Sequence, residues 1–394
     1  MDTLKTIKIN NKDYDMSSPN SDEYKERYIN SFGDTITDSV IVNIHNINGP
    51  YLELKGDSKE TFKVEILNSS DDVIYTSNLT CGMYSNLNIK YYIDWKYKIY
   101  LGGELVNEGK LSLQDSRVFI SMDSRSLGDT VAWISYCEEF RKKHNCKLIV
   151  SSFWNKFFIN TYPNIEFVYP GDVVYDITAM YTLGWFYNKD KEPELPNTIP
   201  LQKTASNILG LEYKEITPTL DFKIGTRIFN EKYVTIATHS TAGCKYWNNP
   251  NGWQELVNYL RSQGYRILHV SKEPTELEGV TQLKDTSIEN TMSVIHHSEF
   301  FVGLSSGLSW LSWGIGTPVV MISNFTEKDH EFTTNCTRII NTSVCNGCWN
   351  NPSFKFDKGD WNWCPEHKGT ERQFECHKTI TSEMVIEQIQ HLIK

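Results

Sequence analysis

The strongest chemical signal in this chain of 394 residues is a cluster of four cysteines near its C-terminus. Cys345 and Cys348 form a CxxC pair, and Cys364 and Cys376 follow. CxxC presents two thiolates from one turn, and two later cysteines can complete a tetrahedral metal site. The stretch is otherwise polar, apart from Trp349, Trp361, Trp363 and Phe374, which could pack a miniature core. Units this small usually need a staple such as a metal ion. Ligand chemistry alone puts zinc first and a single four-thiolate iron second. His367 and His377 offer themselves as substitute ligands. Free reduced thiols, or a redox CxxC, are the plainer alternatives.

Three other short stretches could carry chemistry. Ser126-Leu127-Gly128-Asp129 follows an apolar run. Asp129 could serve there as a general base, or as the N-cap of a helix beginning at Thr130. Gly128 would let the backbone turn tightly. Lys245, followed by Trp247 and Trp253, could neutralise a diphosphate or be a solvated loop lysine. Ser305-Ser306-Gly307 precedes a helical run. Helix N-terminal amides beside small residues make an anion site, and an ordinary serine cap with a packing glycine makes the same pattern.

These stretches lie where strands pass into helices. Residues 1–35 are polar and read as an irregular lead-in. From Asp38 to Leu113 short alternating runs such as Phe62-Lys63-Val64-Glu65-Ile66-Leu67 are separated by Gly, Asn, Asp and Ser. The expectation is an N-terminal antiparallel β-domain over 1–115. Arg117–Met122, a helical spacing over Thr130–Lys143, and Lys147–Ser152 then form a β-loop-α-β unit, the building block of a parallel sheet. Further strands are expected at 166–169 and 173–176. A Pro-rich, charged stretch over 185–225 reads as a connection between lobes. A second such series starts at Tyr233 and a third unit at Phe300. The fold class is therefore α/β, with Rossmann-type lobes over 116–225 and 226–340, a finger over 341–380 and a C-terminal helix over 381–394. Two lobes in series place a ligand cleft between their strand C-terminal ends.

Composition narrows the partners. With 49 acidic and 39 basic side chains the net charge is -10, and no basic block occurs. That excludes a nucleic-acid footprint and disfavours an anionic membrane surface. Aromatics reach 13%, which suits sugar-stacking surfaces and plain cores alike. Met1–Ser18 has no apolar leader, so a cytoplasmic protein with reduced thiols is expected. Phe300–Phe325 carries no charge and is long enough to span a bilayer. Its glycines, serines and Pro318 fit a strand, turn, helix and strand better.

Taken in order, the three loop motifs resemble those of the heptosyltransferase superfamily with the two-lobed GT-B fold. Ser126–Asp129 resembles the catalytic-aspartate motif. Lys245-x-Trp247 with Trp253 resembles the diphosphate lysine motif. Ser305-Ser306-Gly307-Leu308-Ser309 resembles the donor-binding turn, where lipopolysaccharide enzymes usually have Asp-Thr-Gly. The N-terminal β-domain and the four cysteines resemble the narrower family of bacterial autotransporter heptosyltransferases. That resemblance implies ADP-heptose as donor and serine hydroxyls of a β-helical autotransporter passenger as acceptor. It implies an acceptor-side first lobe and a nucleotide-sugar-side second lobe. It also implies iron in the finger and a ring of about twelve subunits. Asp129 would take the acceptor proton in one inverting displacement, while Lys245 and the amides near Ser305, Ser306 and Gly307 hold the donor. No Asp-x-Asp motif lies near the cleft loops, so no catalytic divalent ion is expected. A lipopolysaccharide-type heptosyltransferase and a non-catalytic sugar- or peptide-binding module are the rival readings.

Overall fold

The computed structural model describes residues 40–122, 124–354 and 362–393, with the backbone of two short strands before them. The N-terminal part contributes β1 (Ile7–Lys8), β2 (Gly33–Thr37), β3 (Val40–His45), β4 (Tyr51–Gly56), β5 (Phe62–Leu67), β6 (Val73–Leu79), β7 (Tyr84–Asn86), β8 (Lys96–Leu101) and β9 (Glu104–Lys110). Two antiparallel sheets result, ordered β2-β3-β4-β7 and β6-β5-β8-β9. Alternation sends Leu52, Leu54, Phe62, Val64 and Ile66 inward to a shared core around Trp95. The β7 and β9 strands escape a sequence reading because both are edges. Glu104–Lys110 has no residue deeply buried, so no apolar face marks it.

The first lobe holds β10 (Arg117–Met122), α1 (Leu127–His144), β11 (Lys147–Ser151), β12 (Ile165–Val168), β13 (Val173–Val174) and β14 (Ala179–Leu183). Its parallel sheet runs β12-β11-β10-β14. Two expectations change here. The 173–176 segment does not join this sheet; Val173 and Val174 pair antiparallel with Lys8 and Ile7. The fourth lobe strand is β14, whose sequence Ala-Met-Tyr-Thr-Leu has no β-branched apolar run to announce it.

The stretch 185–225 is more than a connection. It contains α2 (Leu201–Ile208), started by Pro200. Gln202 of α2 donates from Nε2 to the carbonyls of Ala132 (3.0 Å) and Ile216 (2.7 Å), and Trp133 Nε1 donates to the Leu201 carbonyl at 2.9 Å. Those bonds dock α2 on α1.

The second lobe holds β15 (Tyr233–Ile236), α3 (Gly252–Ser262), β16 (Arg266–His269), β17 (Val280–Gln282), α4 (Ile288–His296), β18 (Phe301–Gly303), α5 (Gly307–Gly314), β19 (Val319–Ile322) and β20 (Cys336–Ile339). Its six strands are all parallel, in the order β17-β16-β15-β18-β19-β20. The charge-free segment 300–325 is strand, helix and strand. Among the described residues no helix is long and apolar enough to cross a membrane. Two last helices follow, α6 (Glu375–Lys378) and α7 (Ser382–Ile389). Val385 and Ile389 of α7 bury themselves with Leu256 and Ile339 of the second lobe. The two lobes are not separate bodies: Trp133, Trp310 and Trp313 belong to one continuous core.

Candidate functional site at the junction of the two lobes

Helix α1 begins earlier than the spacing suggests, and this changes the reading of Asp129. The N-cap is Ser126, whose side chain accepts from the Asp129 backbone N–H at 3.4 Å. Asp129 therefore lies in the first helical turn and is not the cap of a helix starting at Thr130. A carboxylate in that turn meets the positive end of the helix dipole. Its Oδ2 accepts from Ser124 Oγ at 2.8 Å and from Trp185 Nε1 at 3.2 Å. Burial pushes its pKa up from the ordinary value. The hydrogen bonds from Ser124, Trp185 and Ser126, and the charge of Lys245, oppose that rise.

Gly128 has a different task from the tight turn expected of it. Its φ is not positive. A Cβ there would lie 3.2 Å from Trp310 Cδ1 and 3.4 Å from Gly307 Cα. Gly307 opens α5 in the second lobe, and a Cβ on it would sit 3.5 Å from the Gly128 nitrogen. Two glycines thus let two helix N-termini meet, one from each lobe. The first N–H groups of a helix have no partner within it, so both ends favour negative charge at the junction.

The two serines before α5 are not equivalent. Ser305 Oγ donates to Glu331 Oε1 at 2.5 Å and is buried. Ser306 is the N-cap, and its buried Oγ has no hydrogen-bond partner among the described residues. Below Ser305, Glu331 also accepts from Thr326 at 3.0 Å and pairs with Arg338 at 2.6 Å. Burial alone would push the Glu331 carboxyl up. Arg338, His330 and Ser305 more than offset that and hold it at about 2.

Lys245 ends a 3₁₀ turn formed by Gly243–Lys245. Its Nζ stands 5.8 Å from the Phe325 ring centroid, a cation–π distance. Its charge reaches Asp129, where it opposes the rise caused by burial, and His330, where it adds to a lowering caused first by burial. Trp247 is core rather than a sugar platform. It is 3% exposed and its Nε1 donates to the Ile380 carbonyl at 2.8 Å. A Cβ on Gly252 would come within 2.4 Å of that indole, so the glycine makes room for it.

The finger abuts this loop. Asn362 Oδ1 accepts from the Gly243 backbone N–H at 3.1 Å. Trp349 packs with Ala242, Cys244 and Phe325, and Phe374 and Trp185 pack against that cluster, so two of the finger's aromatics share one core with the junction. Trp361 lies outside the described residues. Cys348, Cys364 and Cys376 are buried and Cys345 is partly so, all as free thiols. Burial, then the neighbouring thiols, pushes Cys348 up to about 12 and raises Cys376 as well. A bound cation would reverse that shift.

The four sulfurs do not gather tightly as one set. Among the described residues, the one group of three ligand atoms within 4.8 Å of one another is Cys345, His367 and Glu375. His367 Nε2 is buried without a hydrogen bond among the described residues. His377 is committed elsewhere. Its Nε2 accepts from the Asn324 backbone N–H at 3.0 Å, and its Nδ1 lies 3.3 Å from Cys376 Sγ. Three buried thiols beside an imidazole nitrogen that makes no hydrogen bond, though it lies 3.7 Å from Glu366 Oε1, fit a soft metal.

Sequence reasoning missed Ser124, Trp185, His330, Glu331 and Arg338. Trp185 had one available signal. Once Ala179–Leu183 is taken as a strand, Trp185 falls just past its C-terminal end, where α/β ligand sites form.

Two parallel α/β lobes meeting at such a junction have a GT-B-like arrangement, and likeness to known proteins makes the chain a glycosyltransferase. Residues 186–361 match the model of glycosyltransferase family 9 (heptosyltransferase). The chain is 35% identical to the autotransporter heptosyltransferase Aah of Escherichia coli over 363 residues, 86% of this chain and 92% of that one. It is 32% identical to BimC of Burkholderia thailandensis, named as an inactive autotransporter heptosyltransferase, over 80% of this chain and 78% of that one. The crystal structure of TibC from enterotoxigenic Escherichia coli superposes with a TM-score of 0.81 at 29% identity, covering 91% of this chain and 99% of that one. TibC is described there as an iron-containing dodecameric glycosyltransferase. A second TibC structure holds ADP-D-beta-D-heptose and gives a TM-score of 0.80. The chain belongs to the autotransporter heptosyltransferase family.

Proposed function

We propose that this glycosyltransferase moves heptose from ADP-heptose to serine hydroxyls of an autotransporter passenger, with inversion. The observation that carries the reading is the Asp129 carboxylate beside the Lys245 loop and the α5 N-terminus. Asp129 takes the proton of the acceptor hydroxyl as its oxygen attacks the anomeric carbon. The bond from that carbon to the β-phosphate oxygen breaks, and ADP leaves with the electron pair. Lys245, the α5 amides and Ser306 balance the charge that grows on the diphosphate. One displacement inverts the anomeric centre. The ADP-heptose complex of TibC supports the donor, and the Aah relative supports the kind of acceptor. Incubation with ADP-heptose and a passenger fragment should add heptose masses to intact protein. A fragment of unchanged mass would align the chain with the relative named inactive.

Donor binding divides the loop residues. Lys245→Ala removes a charge-assisted contact worth roughly 1.5–3 kcal/mol, so ADP affinity should fall about tenfold or more by calorimetry. Ser306→Ala should also weaken ADP. Ser305→Ala should lower the melting temperature as well, because its hydroxyl anchors the α5 turn on the buried Glu331. Unchanged ADP affinity in Lys245→Ala returns that lysine to a solvated loop role.

The finger holds one structural metal in this reading, on Cys345, Cys348, Cys364 and Cys376, with His367 as the nearest substitute. TibC being described as iron-containing favours iron over zinc. Its dodecameric description supports a similar homo-oligomer here. A cytoplasmic location suits the set, since its thiols must stay reduced. When bound, the metal cross-links the finger that carries Trp349 and Asn362. Elemental analysis of untagged protein should find about one iron or zinc per chain. Cys345→Ser should lose metal and loosen the assembly, and metal-free protein of parent size and activity would end the claim.

A further inference from the structure

The indole of Trp185 stands where the first lobe, the second lobe and the finger meet. It follows β14, two residues past Leu183. Its ring lies 6.5 Å from that of Trp133 on α1, 6.1 Å from that of His330 in the second lobe, and 5.3 Å from that of Trp349 in the finger. The His330 ring stacks at 29° and the Trp349 ring meets it edge-on at 77°. His330 is fixed in turn, with its Nδ1 3.1 Å from Asn350 Nδ2 and its carbonyl accepting from the Leu201 N–H. Trp349 is fixed through its carbonyl, which accepts from Asn197 Nδ2 at 3.0 Å. An indole held by three rings from three parts of the chain has little rotational freedom. Its single polar group, Nε1–H, is aimed at Asp129 Oδ2.

We infer that Trp185 is a positioning residue, one that fixes the Asp129 carboxylate for proton removal and ties that geometry to closure of the lobe junction. The inference rests on Asp129 being the base. Ser124 and Trp185 both donate to Oδ2. Neither donates to Oδ1, so with Ser126 as a further support of the carboxylate Oδ1 is the oxygen this inference gives to the acceptor proton. A hydrogen bond to a charged carboxylate is stronger than one between neutral groups, and it also stops the carboxylate from rotating. The α1 turn carrying Asp129 comes from the first lobe, whereas two of the rings holding Trp185 come from beyond it. The base is therefore aligned when the parts around the junction are together. Because the two hydroxyl and indole donors act on one oxygen, losing the indole N–H should affect turnover and spare donor binding, which lies with Lys245 and the α5 turn.

The test is a cycle of variants. Trp185→Phe should lower kcat roughly tenfold or more, the loss expected for one hydrogen bond to a charged group, with donor KM and ADP affinity at parent values. In an Asp129→Asn background the same change should cost little, since a residue acting through the base has nothing left to act on. Parent kcat in Trp185→Phe overturns the inference. Equal losses in both backgrounds overturn it too, because the ring would then serve packing alone. Should Trp185→Phe melt early, benzothienylalanine introduced at position 185 keeps the shape of indole and removes only the N–H, with the same kcat loss expected. An active Asp129→Asn enzyme defeats the base reading itself, whereas an inactive Asp129→Asn beside an unaffected Trp185→Phe defeats only this inference.

Discussion

Asp129→Asn should lower heptose transfer by roughly a hundredfold or more, the usual range for loss of a general base, while ADP affinity and melting temperature stay near the parent's. The substitution keeps the size of the side chain and an oxygen that can accept from Ser124 and Trp185. What it removes is the capacity to take a proton. Asp129→Ala goes further and strands both donors, and it removes a first-turn carboxylate from α1. That variant should lose activity to a similar extent and also melt earlier, with a stability cost of about 1 kcal/mol or somewhat more. Because Ser126 is the helix cap, neither variant uncaps α1. Comparing the two separates proton chemistry from support of the helix. Transfer by Asp129→Asn at the parent rate would falsify the base assignment.

The parts of this site legible in the sequence are those whose chemistry is local. Arg117–Met122 and Tyr233–Ile236 are mostly apolar and almost wholly buried, as doubly covered parallel strands are, and each leads into a motif loop. Asp129, Lys245 and the Ser305–Gly307 turn could be picked out for that reason. The illegible parts depend on approach through space. Gly128 invites a turn argument in one dimension, and only the contact with Gly307 reveals that it makes room for a second helix. Trp185 sits 56 positions from the carboxylate it donates to, after a strand whose five residues, Ala179 to Leu183, alternate buried and half-buried. The cysteine spacing announces a ligand set, yet the approach of His367 and Glu375 to Cys345 follows from the fold of the finger and from no spacing rule.

The buried pair of Glu331 and Arg338 is the second place where a large effect is expected. The two side chains are 3% and 10% exposed and 2.6 Å apart. Removing one partner leaves a desolvated charge, which typically costs about 3–5 kcal/mol. Glu331→Gln and Arg338→Met should each lower the melting temperature by roughly 5 °C or more at neutral pH. The pH dependence has a definite sign. The folded carboxyl sits at about 2, below its ordinary value of 4.5, so ionisation favours the folded state. That contribution is complete above about pH 4.5 and is lost as the pH falls toward 2. Glu331→Gln should therefore flatten this part of the acid limb of the melting curve, as well as lowering its plateau. Identical acid limbs in parent and variant would show that the pair carries no such load. Replacing both partners, Glu331→Leu with Arg338→Met, removes the stranded charge and should recover much of the melting temperature. It cannot restore an acceptor for Ser305. If the pair is there to hold the α5 turn for the diphosphate, the double variant regains stability and still binds ADP more weakly than the parent.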